Sequence, residues 1–277
     1  MLLTSTREQD SLRKERRMFA SQIERHFTKI GARARIHPDT SSWDIAIDIR
    51  KDGDGEYFDI ALGRNDAELS VMDVQPGLRH LLLMSRTSRR SKFLCGHDER
   101  HWFVAAVPES APVSNVKTAF EALKPLQIRT ALVRKHVRPK DRNRRRNEAF
   151  LRQGEWFFVP ADDTYVPETL IFRNEPISRG RGKPHLCEEL VRTGGEVVYV
   201  CSQYPRGVTS NIYRKLMSKK PELRSMKWVI QRRNPEVFVR GRVRHSDHKT
   251  IELNGWHRVF MNTENQAAAM RNVVFLD

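Results

Sequence analysis

Residues 237–262 form the histidine-rich stretch of the chain and the part best suited to chemistry. The stretch holds three of the ten histidines, and an aspartate lies between two of them. Metal sites form where neutral imidazoles, thiolates or carboxylates converge on one point. The stretch therefore predicts a bound zinc, magnesium or manganese ion. The candidate metal ligands are His245, Asp247, His248 and His257. His185 and Cys187 could join them from a neighbouring loop, and the alternative is a basic surface with exposed histidines.

Residues 243–248, Val-Arg-His-Ser-Asp-His, carry a second chemical signal together with the asparagines that follow. They resemble the start of an HNH-type ββα-metal nuclease motif, in which an Asp-His pair ends the first strand. The resemblance covers about 25 residues and implies that His248 is the general base that activates water and that Asp247 is a metal ligand. It also implies that Asn262 or Asn265 is the orienting residue. The seven residues after Asn265 contain no histidine or acid to supply the last metal ligand of that motif.

The stretch Ser-Arg-Gly-Arg-Gly-Lys-Pro-His, residues 178–185, is glycine-rich and cationic. Its two glycines let the backbone approach an anion closely, and its arginines and lysine add charge-assisted donors. The spacing matches neither a Walker A loop nor a dinucleotide-binding glycine turn. We therefore interpret it as a surface loop, with phosphate contact as the functional alternative.

The positive charge of the chain is concentrated in its C-terminal half. Residues 1–128 hold 20 Lys+Arg and 18 Asp+Glu, a net charge of +2. Residues 129–277 hold 30 Lys+Arg and 16 Asp+Glu, which is +14 of the total net charge of +16. A concentrated positive field attracts polyanions, so nucleic acid is the predicted partner; an acidic protein or an anionic membrane surface would also match the charge. The predicted phosphate contacts are Arg144, Arg145, Arg146, Arg179, Arg181, Lys183, Arg240, Arg242 and Arg244. Aromatic residues interleave with the basic ones and could stack bases or lie in the core; they are Trp156, Phe157, Phe158, Tyr199, Trp228, Trp256 and Phe260.

Local patterns predict the elements that position these residues. Two alternating segments flank a polar turn in residues 237–262, which indicates a β-hairpin with His245 and His257 facing each other across its strands. Residues 6–31 have the apolar spacing of a helix that begins after a capping residue and ends at a glycine. Shorter helices are predicted at 186–192 and 211–218, and a final helical turn and strand at 265–276. Most of the remaining apolar clusters indicate strands.

Together these elements predict an α+β protein: an N-terminal helix on an antiparallel sheet, followed by a β-rich basic second domain. The predicted domains are residues 1–128 and 148–277. A basic linker, 129–147, joins them; its first 18 residues hold nine Lys/Arg and one Asp. No apolar run has the length of a membrane span, the N-terminus has no signal-peptide pattern, and the three cysteines are an odd number. These features favour a cytoplasmic, reducing location.

Nucleic-acid binding through the phosphate backbone is the leading functional hypothesis from the sequence. The first alternative is a metal-dependent nuclease or hydrolase centred on the hairpin that contains His245 and His257. The second is an interaction module that docks on an acidic protein. The sequence contains no Gly-x-Ser-x-Gly elbow, so it gives a nucleophilic hydrolase less support.

Overall fold

The computed structural model describes residues 6–64, 68–87, 89–178 and 183–264. In these residues it has four α-helices and sixteen strands, so the fold is mixed α+β and mostly β. The chain divides into two compact units, with residues 6–125 and 262–264 in unit 1 and residues 126–261 in unit 2. Among the described residues, no helix has the length and apolar character needed to cross a membrane. The predicted domain boundaries stay predictions.

Unit 1 has the long helix predicted at the N-terminus and two small sheets. Its helices are α1 (Thr6–Lys29) and α2 (Val116–Ala122), and its strands are β1 (Ala34–Pro38), β2 (Ala46–Asp52), β3 (Gly55–Leu62), β4 (Glu68–Gln75), β5 (His80–Arg86), β6 (Arg90–Asp98) and β7 (His101–Val107). The sheets have the orders β1-β3-β2 and β4-β5-β6-β7, and β1 is parallel to β3. Helix α1 buries Ile23 and Phe27 against the strand core, and Ile30, just after the helix, continues this buried face.

Unit 2 is built on a six-stranded antiparallel sheet with the order β10-β11-β15-β16-β9-β8. Its strands are β8 (Leu151–Gln153), β9 (Trp156–Pro160), β10 (Phe172–Ile177), β11 (His185–Thr193), β12 (Glu196–Cys201), β13 (Tyr204–Thr209), β14 (Val229–Arg233), β15 (Glu236–Arg244) and β16 (Ile251–Met261), and its helices are α3 (Leu126–Arg134) and α4 (Ser210–Lys219). Strands β13, β12 and β14 form a separate small sheet, in that order.

The predicted hairpin of residues 237–262 is present as β15 and β16. Its register pairs Val239 with His257, with an irregularity before Gly241, and places His245 in the connection between the strands. The prediction that His245 faces His257 across the hairpin is therefore wrong. The polar connection is longer than a tight turn, so the pairing begins only at Val243 and Ile251.

The prediction of a helix at residues 186–192 is also wrong, because this segment is strand β11. It pairs with β10 on one side and with β15 on the other. The first residues of β11 show the two-residue period of a strand, since His185 and Cys187 are buried while Leu186 between them is exposed. Pairing on both edges outweighs the local helical tendency.

Residues 129–147, predicted as a linker, contain most of helix α3 and a series of tight turns in unit 2. The helix buries Ile128, Ala131 and Leu132 in a core cluster with Phe150 and Phe157. The basic composition of the segment hides this apolar face, because the lysines and arginines lie between its buried positions.

Candidate functional site

Three histidines from distant parts of the sequence meet at one end of the main sheet of unit 2. His185 begins β11, whereas His245 and His248 lie in the connection between β15 and β16. One ring nitrogen from each lies within 4.8 Å of the others. The ring centroids of His185 and His245 are 4.1 Å apart and those of His245 and His248 are 4.7 Å apart. The antiparallel pairing of Leu186 with Arg244 brings the two chain segments together.

His185 is the buried member of this histidine cluster, with 1% of its surface exposed. Neither of its ring nitrogens has a hydrogen-bond partner among the residues that the structure describes, which is unusual for buried polar atoms. Burial, and next the charges of His245 and His248, lower the pKa of His185 to about 3. The ring is therefore neutral at pH 7, which is the form in which imidazole binds a metal.

His245 is oriented by two backbone groups. Its Nδ1 accepts a hydrogen bond from the amide of Asp247 at 3.1 Å, and its Nε2 lies 3.2 Å from the carbonyl oxygen of Lys183. A neutral ring that accepts at Nδ1 carries its proton on Nε2, so Nε2 donates to the carbonyl. A carbonyl in this role orients many metal-binding histidines.

The turn between β8 and β9 forms the floor beneath the histidine cluster. Gln153 is fully buried, and its Nε2 donates to the carbonyls of Val243 and Lys249, at 3.3 and 2.7 Å. This side chain therefore ties down both ends of the connection that carries His245 and His248. The next residue, Gly154, has φ +57, and a Cβ there would lie 2.8 Å from Nε2 of His248. Glycine at this position therefore allows the ring of His248 to approach the backbone closely.

Asp247, a predicted metal ligand, lies beside the histidine cluster and is paired with Lys183, a predicted phosphate contact. Nζ of Lys183 donates to both carboxylate oxygens, at 2.8 and 3.0 Å. The hydrogen bond from Lys183 is the main reason that the pKa of Asp247 is lowered. The structure therefore joins these two predicted site residues to each other.

The structure does not bring His257 or Asn262 to the histidine cluster. His257 is buried on β16 opposite Val239, and its Nδ1 contacts the carbonyl of Gly255 at 3.0 Å. Asn262 follows β16, whose eleven residues span about 35 Å from the connection that carries His248. The side-chain oxygen of Asn262 accepts a hydrogen bond from Glu264. Asn265, the other predicted orienting residue, lies outside the described residues, as do Arg179 and Arg181.

Carboxylates neutralise much of the predicted arginine row on β15. Arg240 pairs with Glu189 at 2.6 Å, and Arg242 pairs with Glu188 at 3.1 Å. Arg244 donates to Oδ1 of Asn174 at 2.8 Å. Arg242, Arg244 and Arg173 also line a surface cavity of about 220 Å³ together with Glu188 and Asn174. The neighbouring strand β11 supplies both glutamates, so this face is a mixed ion network.

The arginines predicted as contacts in residues 144–146 differ from one another. Arg144 lies 3.1 Å from the buried carboxylate of Asp141, which also pairs with Arg138 at 3.1 Å. Arg145 is partly buried, and burial together with the nearby Arg152 lowers its pKa to about 10. Arg146 is exposed. Arg144 and Arg146 are therefore both exposed, but Arg144 already has a carboxylate partner in Asp141.

Residues 196–233, which we call the basic lobe, carry a cationic surface that the predicted contacts did not include. The lobe comprises the β13-β12-β14 sheet and helix α4. It holds nine Lys/Arg and two Glu, a net charge of +7 in 38 residues. The basic side chains are Arg206, Arg214, Lys215, Lys219, Lys220, Arg224, Lys227, Arg232 and Arg233. The helix predicted at 211–218 contained this signal, since it already carried four of these cations on or beside it.

Most of the cations of the basic lobe are available to an external anion. Eight of the nine are exposed, and Arg233 is the exception. Within the described ranges, Arg233 is also the one member of the set that forms an ion pair, with Glu196. This arrangement contrasts with β15, where Glu188 and Glu189 neutralise two of the three arginines. The basic lobe therefore presents more exposed positive charge without a carboxylate partner than β15 does.

Stacked aromatic rings hold α4 against the small sheet. Helix α4 buries none of its residues. Tyr213 on α4 stacks on Tyr199 of β12 at 4.1 Å and meets Trp228 edge-on at 5.0 Å. Four of the other predicted stacking residues, Trp156, Phe157, Phe158 and Trp256, are buried. The aromatic residues of the basic lobe thus hold the helix that carries several of its cations. The four buried aromatic residues belong to the core.

Searches of protein-family models, curated proteins and solved structures return no match to this chain. The function is therefore inferred from the geometry and charge of these two sites.

Proposed function

We propose that the protein binds nucleic acid through its phosphates and that the basic lobe is the contact surface. The observation that carries this proposal is the excess of nine Lys/Arg over two Glu in residues 196–233, with eight of the nine cations exposed. Exposed cations without carboxylate partners can release the counterions of a polyanion, which drives phosphate binding.

The geometry of α4 supports phosphate contact rather than base reading. Its exposed lysines, Lys215, Lys219 and Lys220, lie in the second half of the helix and just beyond its C-terminal end, and the helix also carries the exposed Arg214. Lysine is a point charge without the planar fork with which arginine reads a base edge. Tyr199 and Tyr213 each use one aromatic face to stack on the other. Binding through this surface should therefore depend strongly on salt and weakly on sequence.

The test is the salt dependence of binding to a short double-stranded DNA in a charge-matched pair of variants. The test variant carries Lys215→Gln, Lys219→Gln and Lys220→Gln. The control carries Lys29→Gln, Lys51→Gln and Lys117→Gln, which removes three exposed charges from unit 1. Both variants have the same net charge, so a difference between them reports on location alone.

In the lobe variant, the slope of log K against log salt should flatten by about 2 to 3, because each phosphate contact contributes about 0.9. The control should keep the wild-type slope. Equal slopes in the wild type and the lobe variant, or equal losses in both variants, would remove the lobe as the contact surface. Binding to single-stranded DNA and to RNA of equal length identifies the class of nucleic acid that the protein prefers.

Docking on an acidic protein is the second function that the charge permits. It predicts that polyglutamate competes with DNA as well as an unrelated nucleic acid of equal charge does. Weak competition by polyglutamate supports the nucleic-acid function. The metal-dependent hydrolase stays a prediction.

A further inference from the structure

We propose that His185, His245 and His248 bind one divalent transition-metal ion, with zinc as the best match. The inference is independent of nucleic-acid binding. It rests on three imidazoles, contributed by two strand ends of one sheet, whose ligand nitrogens lie within 4.8 Å of one another. Three histidines with a fourth position open to water are a common ligand set for zinc.

The buried ring of His185 is the strongest reason to expect a ligand here. Among the described residues, both of its nitrogens lack a hydrogen-bond partner although the side chain is 1% exposed. Buried polar atoms without partners destabilise a fold, so a residue placed in this way calls for an external partner. The rings beside it, His245 and His248, are both partly exposed, so an ion can enter from their side.

The geometry of the cluster is close to that of a metal site and needs a small adjustment. A tetrahedral zinc ion with bonds of about 2.0 to 2.1 Å holds its nitrogens about 3.3 to 3.4 Å apart. The rings now lie nearly parallel, at 23° to 27° to one another, and must turn to direct their lone pairs at one point. His245 and His248 lie in a loop and can turn, whereas β11 holds the backbone of His185.

The donor set selects the class of metal. Imidazole nitrogens suit zinc, copper or nickel, whereas magnesium and manganese favour carboxylate and carbonyl oxygens. The nearest predicted oxygen ligand, Asp247, is held by Lys183 at 2.8 Å. Donation from Nε2 of His245 to the carbonyl of Lys183 leaves Nδ1 as the coordinating atom, so the ion would replace the amide of Asp247 as its partner.

The glycine at position 154, beside the rings of His185 and His248, is consistent with an open fourth position. A Cβ at this residue would lie 2.8 Å from Nε2 of His248 and 3.5 Å from Nε2 of His185. Any side chain there would occupy the space beside both nitrogens. Glycine therefore avoids a side-chain contact that would compete with a ligand of the ion.

The test is titration of the untagged, chelator-treated protein with zinc chloride by calorimetry, together with the visible absorption of the cobalt(II) form. The wild type should bind one equivalent, and cobalt should give the intense bands of a tetrahedral site. His245→Ala and His248→Ala should each weaken zinc binding about 100-fold or more, since loss of outer contacts alone costs 10- to 100-fold. Both positions are partly exposed, so these variants should fold.

The matched control is His136→Asn, which removes an exposed histidine of unit 2. His136 has φ 49, a conformation that asparagine also adopts. This variant should bind zinc like the wild type. A wild type that binds no zinc at micromolar concentrations would overturn the proposal. Unchanged affinity in both alanine variants, or equal weakening in His136→Asn, would do so as well. DNA binding by any of these proteins has no bearing on the outcome.

Discussion

Nζ of Lys183 donates to both carboxylate oxygens of Asp247, at 2.8 and 3.0 Å. The sequence predicts a phosphate contact for the lysine and a metal ligand for the aspartate. Because each is the partner of the other in the folded protein, the positive charge of Lys183 is already matched. The pairing weakens both predicted roles and leaves the three histidines beside it as the proposed metal ligands.

Lys183→Met should have little effect on nucleic-acid affinity, because its charge is matched by Asp247. Since the side chain of Lys183 is 64% exposed, the pair should contribute no more than about 1 kcal/mol to stability. Competition binding at fixed salt checks the affinity, and urea unfolding checks the stability. Lys219→Met is the matched comparison, and it should weaken binding. A larger loss in Lys183→Met than in Lys219→Met would return Lys183 to the contact surface.

Asp141→Asn should destabilise unit 2 by about 1.5 to 3 kcal/mol, the range for hydrogen bonds to charged groups. Asp141 is 8% exposed and pairs with both Arg138 and Arg144, so the change removes the charge that both arginines share. Urea unfolding followed by tryptophan fluorescence measures the loss. Asp163→Asn, at an exposed position of the same unit, should change stability by less than about 0.5 kcal/mol. Equal stability of the two variants would contradict a structural role for Asp141.

Gly154→Ala should lower stability by more than the strain of its backbone alone. The left-handed φ of +57 costs an alanine about 1 to 2 kcal/mol, and the new Cβ also lies 2.8 Å from Nε2 of His248. Gly194→Ala separates the two effects, because Gly194 has φ +64 and no atom within 4 Å of its added Cβ. Thermal unfolding of both variants measures the difference. Equal losses of stability in the two variants would show that the loop that carries His248 moves away from the new Cβ without an energetic cost.

Asp52→Asn should destabilise unit 1 near neutral pH and lose this effect in acid. The hydrogen bond from Arg33 is the main reason that the pKa of Asp52 falls to about 2 from its ordinary value of 3.8. The unfolded state therefore binds the proton first, and the stabilisation present above about pH 4 disappears as the pH falls to about 2. Melting temperatures of wild type and variant across this range check the sign. Asp48→Asn, exposed on the same strand, is the control, and a constant difference for Asp52→Asn would contradict the linkage.

Local sequence patterns were sufficient for features that depend on neighbouring residues. The apolar spacing of α1, the alternation in β15 and β16, and the helix carrying Lys215 all follow from periods of 3.6 or 2 residues. The uneven distribution of charge between the two halves is likewise a property of the sequence alone. The pattern was insufficient in β11. Its apolar residues are compatible with a short helix, but the segment forms a strand that pairs on both edges.

Strand pairing alone decided which of these residues meet. His185 and His245 are sixty positions apart and stack at 4.1 Å only because β11 and β15 are neighbours. The same pairing places Glu189 against Arg240, which neutralises a predicted contact. Local periodicity reflects the energetics of single elements, whereas partner and register depend on burial and hydrogen bonding summed over the whole sheet. Sequence therefore determined the types of chemistry available, and the tertiary structure decided which side chains can act together.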